Sequence, residues 1–277
     1  MVLESLMNPF SAEKKPWEML FIGFLYSTVA IFLSLWIFRS YASMVMVFLT
    51  VMAAMPLIFS TTQLEEEKDM REAREFVLIK EHGRALSFFV MLFIGFTLSF
   101  TLWYIVLPAD LTLALFSVQS KTINEINTQI TGGVIESLPL LSKIFFNNLK
   151  VLIFCLLFSF LYGAGAIFVL TWNASVIGTA IGNFIRSNLS EASPFLQYFQ
   201  IGSLGVLRYF IHGIPEILAY FVGGLAAGII SVGIIRHDFA SKKFRGVVVD
   251  SVDMILLAVG LLFAAAIIEV YVTPVLF

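Results

Sequence analysis

In the stretch IHGIPEILAYF, Ile211 to Phe221, His212 and Glu216 stand four residues apart and so share one face of a helix. An imidazole and a carboxylate at that spacing can serve three kinds of chemistry. They can satisfy each other and an interrupted backbone, they can line a path for a polar substrate or ion, or they can supply part of a metal or catalytic set. One His and one Glu make only half a ligand set. The other two histidines, His82 and His237, are expected in charged loops. Pro215 lacks an N–H and disfavours helix at Ile214, which suits the first turn of a helix with Glu216 at its positive dipole end. The spacing therefore predicts a helix start, with His212 preceding or capping it and Gly213 beside it.

Further polar residues gather in the same region: Asn147 and Asn148 at the start of one apolar run, Asn173 at its end, and Arg208. Polar groups are costly in a bilayer, and non-helical backbone at depth is tolerated only under cover of protein or a water-filled cavity. Candidate site residues are thus Asn147, Asn148, Asn173, Arg208, His212, Gly213 and Glu216. Both a structural junction and a pathway are compatible with this set. Small residues accompany them, in Gly163-Ala-Gly165, Gly178-x-x-x-Gly182 and Gly224-x-x-x-Gly228. Such spacing lets helix backbones approach closely, within one chain or between copies, and a homo-oligomer is compatible with it. The single cysteine, Cys155, lies in an apolar run and reads as packing.

The elements that must position these groups are membrane helices. The chain has 277 residues, 59% hydrophobic and 13% charged, with mean hydropathy +0.94. A soluble domain is about 45–50% apolar and about 25% charged, which excludes an ordinary soluble enzyme. With a net charge of −2 and no basic stripe, nucleic acid is excluded as a partner. No His-Glu-x-x-His, Gly-x-Ser-x-Gly, phosphate-loop or Cys-x-x-Cys motif is present, so the expectation is a protein without enzymatic activity, cofactor or metal.

Six runs are long enough to cross about 30 Å of hydrocarbon: Trp17–Phe38, Ala42–Phe59, Ala85–Leu107, Val151–Trp172, Ile214–Ile235 and Met254–Val272. The fold class expected is all-α, a polytopic bundle forming one integral membrane domain over residues 1–277. It has about six long helices, with one or two short or re-entrant helices between residues 173 and 212. The N-terminal stretch MVLESLMNPFSAEKKPWE lacks the pattern of a cleaved leader, so the first run is expected to stay as an anchor. Between runs two and three, residues 64–84 carry a dense charge run with i,i+4 pairs such as Glu67–Arg71 and Lys68–Glu72. They predict a solvated cytoplasmic helix, with Glu65–Arg84 as a candidate docking surface for a soluble protein. Residues 108–145 read as an extracytoplasmic loop, and residues 147–235 as the motif-bearing core.

Lysine and arginine place the N-terminus in the cytoplasm. A conflict arises, because six crossings would leave Arg236, Lys242, Lys243 and Arg245 outside. The extra candidates are Ala174–Ile185 and Pro194–Ile211, and a short crossing at roughly Pro194–Ile211 would satisfy the rule best.

Phe146-Asn147-Asn148, then a glycine-containing membrane helix, then Asn173-x-x-x-x-Gly178 and His212-Gly-x-x-Glu216 resemble the stage II sporulation protein M family. Asn8-Pro9-Phe10 followed by Ala12-Glu13 resembles its archaeal-type members. The resemblance implies a multi-pass cell-membrane protein among lipids. It also implies a scaffold or recruiter in envelope or membrane remodelling, as the namesake acts beside cell-wall hydrolases. Ala174 departs from the glycine expected after the asparagine. A transporter, permease or lipid-moving protein using the polar cluster at 147–216 is the alternative reading.

Overall fold

The computed structural model describes residues 15–71, 75–131, 137–162, 166–189, 195–236 and 242–276, without the side chains within 69–81, 125–137, 188–210 and 236–243 or at 162, 212 and 276. Among the described residues there is no strand, and eight helices of 20 residues or more account for almost all of the structure. They are α1 (Glu18–Ile37), α2 (Ala42–Arg71), α3 (Glu75–Val106), α4 (Ala109–Thr131), α5 (Ser137–Tyr162), α6 (Ala166–Leu189), α7 (Phe195–Arg236) and α8 (Lys242–Ile267). All but α4 are long and apolar enough to span a membrane, giving seven candidate crossings. The chain is an all-α polytopic bundle, as its composition predicts.

Helix α1 shows the packing rule. Its buried stripe is mostly small, with Gly23, Ser27, Ala30 and Ser34 beside Met19 and Ile31, while Phe21, Leu25, Phe32 and Trp36 face outward. In lipid, large apolar side chains gain nothing by turning inward, so small residues take the interface and let backbones approach. A Cβ on Gly23 would strike the Leu92 carbonyl, and one on Gly95 of α3 would strike the Leu20 carbonyl. The inward hydroxyls of Ser27 and Ser34 donate to the main chain of their own helix, at Gly23 O and Ile31 O. On the same seam, the Thr28 hydroxyl lies 3.0 Å from that of Ser99 and accepts from Trp103 Nε1 at 3.1 Å.

The other face of α3 carries α6. A Cβ on Gly178 would meet Phe100, and one on Gly182 would meet Tyr104, so the Gly-x-x-x-Gly spacing forms this crossing. Helix α7 runs through the middle of the bundle. Of its span, 78% is buried, against 22% in each of the α5 and α8 spans. Phe221 of α7 stacks on Phe89 and meets Phe93 edge-on, which locks α7 to α3.

The partition of residues 108–236 differs from the sequence reading in four ways. First, Val151–Trp172 is not one crossing: α5 ends at Tyr162 and α6 begins at Ala166. The Gly163-Ala-Gly165 stretch between them lies outside the described residues. The hydropathy pattern hides this break, because both helices are apolar up to the junction. Second, the seventh span is Ala166–Ser187, which contains the candidate Ala174–Ile185, and not the favoured Pro194–Ile211. Third, α7 is continuous from Phe195 to Arg236, with Pro215 inside it and not at its start. A membrane helix tolerates an interior proline when its neighbours re-satisfy the freed backbone groups. Fourth, the segment expected as a loop at 108–145 is largely helical. Helix α4 buries Leu115, Phe116 and Gln119, with its kink at Phe116, and α5 begins at Ser137.

Candidate functional site

Of the polar residues singled out in the sequence, Asn148 and Glu216 meet where α5, α7 and the end of α8 converge. Glu216 and Tyr220 lie one turn apart on α7, and Tyr220 donates its hydroxyl proton to Glu216 Oε1 at 2.8 Å. Asn148 of α5 is 8% exposed, and its side chain hydrogen-bonds to the same carboxylate. The buried thiol of Cys155, further along α5, lies near Tyr220.

Glu269 completes the cluster from the third side. Helix α8 does not end at Ile267 but widens into a π-helical turn, Ile268–Val272, before closing as Thr273–Leu276. A π-turn inserts one residue into the i,i+4 ladder and rotates the residues beyond it, a distortion that is frequent at functional sites. Here the turn carries Glu269 within electrostatic range of Glu216 and Tyr220. Two carboxylates so placed repel each other whenever both are charged.

Of the residues singled out in the sequence, the structure joins Asn148 to Glu216. Asn147 is on the exposed face of α5, because adjacent positions on a helix point apart. Asn173 sits within α6 and donates to its own Val169 carbonyl at 3.0 Å, away from the cluster. Gly213 lies one turn before Glu216, and a Cβ there would meet nothing within 4 Å. The side chains of Arg208 and His212 lie outside the described residues. Tyr220 and Glu269 were missed by sequence reasoning, though both left a signal. Tyr220 continues the four-residue spacing from His212 through Glu216, and Glu269 is the one acidic residue in Met254–Val272. Among the described residues, no group of three or more His, Cys, Asp or Glu is placed to hold a metal ion.

Two other polar knots lie at opposite ends of α3. At its start, Glu65 of α2 is fully buried, accepting from Lys68 Nζ and pairing with His82 Nδ1 at 2.8 Å. Glu66 is 1% exposed and also partnered. The charged segment is therefore not a single solvated helix: α2 and α3 both extend into it, and part of its charge turns inward. At the other end of α3, Arg186 of α6 donates through Nη1 to the carbonyls of Tyr104 and Leu107, each at 3.1 Å, and to the Thr112 hydroxyl at 3.0 Å. It caps carbonyls that the helix end leaves without partners.

Residues 84–274 match the profile of the family described as Stage II sporulation protein M. The chain belongs to this family. No curated protein and no solved structure is matched by it. In this member of the sporulation protein M family, the match runs from the start of the apolar part of α3 through the π-turn of α8. It takes in the whole Asn148–Glu216–Tyr220–Glu269 cluster and leaves out α1 and α2.

Proposed function

We propose that the protein is a non-enzymatic, multi-pass scaffold of the cell membrane that holds partner proteins in place for envelope or membrane remodelling. The observation that carries this reading is the closure of the polar cluster on itself. Tyr220 and Asn148 both bond to Glu216, and the large cavity beside α7 has apolar walls that do not include Glu216. Membership of the family supports it. Seven crossings also suit the charge rule: six precede Lys242, Lys243 and Arg245, which returns them to the side of Lys15, the cytoplasm.

The contact surface proposed for a soluble partner is the charged end of α2 and α3, from Glu65 to Arg84. Glu65 and Glu66 face inward, so the proposed contact falls on Glu67 and the charged residues that follow it in the sequence. The test is in-cell cross-linking followed by purification of wild type and of a Glu67→Lys, Glu75→Lys double variant. Loss of a cross-linked protein from the variant supports the reading. An unchanged set of cross-linked proteins rules this contact out.

The presence of Glu269, on a π-turn, within electrostatic range of Glu216 favours a second reading, transport of a proton or cation along that side of α7. Proteoliposomes holding the full chain decide it. Dye-reported uptake lost in Glu216→Gln and Glu269→Gln would favour transport, and an impermeable vesicle would remove that reading.

A further inference from the structure

Helices α3, α6 and α7 enclose a cavity of about 370 Å³. Close-packed interiors leave few voids larger than a water molecule, and sites for small molecules run from about 300 to 1,000 Å³. The walls include Phe93, Thr97 and Thr101 of α3, Ile181 of α6, and Gly213 and Ile217 of α7. The two threonines donate their hydroxyl protons to main-chain carbonyls, Thr97 to Phe93 O at 3.0 Å and Thr101 to Gly178 O at 3.3 Å. The rest of the lining is hydrocarbon.

The length of the cavity selects its occupant. Along α3 it reaches from Val90 to Thr101, a rise of about 16 Å at roughly 1.5 Å per residue. That is about half of the roughly 30 Å hydrocarbon core, and it lies across the middle of the α3 span, His82–Val106, at the depth of lipid tails. Ile214 on its wall is 47% exposed, so the cavity opens sideways toward lipid. A transmembrane helix, about 10–12 Å across with its side chains, is far bulkier than this space.

Among the described residues, nothing packs closely enough on Gly213 to require glycine there. At Gly23, Gly95, Gly178 and Gly182 an added Cβ would drive into a neighbouring helix, whereas at Gly213 it would meet nothing within 4 Å. Glycine inside a helix is unfavourable relative to alanine. Its missing side chain leaves open space in the cavity wall. We propose that the cavity binds one acyl chain of a membrane lipid, lying lengthwise between α3, α6 and α7, and that Gly213 keeps it open. The site stands independently of the scaffold reading.

The test uses the full chain in detergent, with dioleoyl phosphatidylcholine as probe and native mass spectrometry as readout. Wild type should hold one lipid per chain. Gly213→Phe and Ile181→Trp, which fill the cavity from different helices, should each lower occupancy about tenfold. Gly260→Phe should not, because Gly260 also has open space around it but lies on the exposed face of α8. A second measurement needs no variant. Phosphatidylcholine carrying a diazirine in its acyl chain should label wild-type peptides containing Thr97, Ile181 or Ile217. The proposal is overturned if wild type holds no lipid, if Gly213→Phe and Gly260→Phe behave alike, or if labelling is confined to the outer faces of α5 and α8. Disulfide-linked dimers through Ile214→Cys would assign the space to a second copy and overturn it equally.

Discussion

Tyr220 gives its hydroxyl proton to Glu216, and the Asn148 side chain bonds to the same carboxylate. Tyr220→Phe removes one of these bonds while keeping the ring, and should cost about 1–2 kcal/mol, the worth of a hydrogen bond to an acidic group. Asn148→Ala should cost a similar amount, read as a lower Tm in detergent. Asn147→Ala, next along the chain but exposed, should leave Tm unchanged. The contrast separates a buried partner from a surface neighbour of identical chemistry. Before folding, the two asparagines are equivalent; only the helical rotation between adjacent residues assigns one inward. Glu216 could be singled out in the sequence because a carboxylate is conspicuous in an apolar run. Glu269 was equally conspicuous, but its relation to Glu216 arises from a π-turn in another helix, which no local pattern announces.

Helix pairing in this bundle rests on absent side chains as much as on present ones. Gly95→Leu should break the α1–α3 seam, where even a Cβ would meet the Leu20 carbonyl. Overpacking of this kind costs about 1–3 kcal/mol or more, and loss of the folded species on size exclusion would report it. Gly182→Leu should do the same at the α3–α6 seam, against the Tyr104 ring. Pro215→Ala should behave in the opposite sense. It restores a main-chain donor within α7 and should raise Tm; a fall would count against this reading of Pro215. The Gly178-x-x-x-Gly182 spacing was legible as a contact motif, and α6 confirms it. The extent of α6 was not, because hydropathy cannot see a break between two helices that are both apolar. Nor did proline mark an end in α7, since tertiary packing around a buried helix overrides the local preference.

With seven crossings, the segments between successive spans alternate between the two sides of the membrane, and α4 belongs to one such segment. The native thiol, Cys155, is buried, so introduced cysteines report on a quiet background. Ala240→Cys, between α7 and α8, should react with an impermeant maleimide only after the cytoplasmic side is opened. Asp110→Cys, at the start of α4 and 68% exposed beside Arg39, should react in intact cells. Reaction of both from the same side would refute the seven-crossing topology. The two knots on α3 have a mechanical consequence at this scale. His82 ties the start of its apolar span to Glu65 of α2, and Arg186 of α6 grips its far end at Tyr104 and Leu107. Each grip comes from a different neighbour, and they resist displacement in opposite directions along the helix axis. Sliding α3 along its axis past α2 and α6 would break both grips at once.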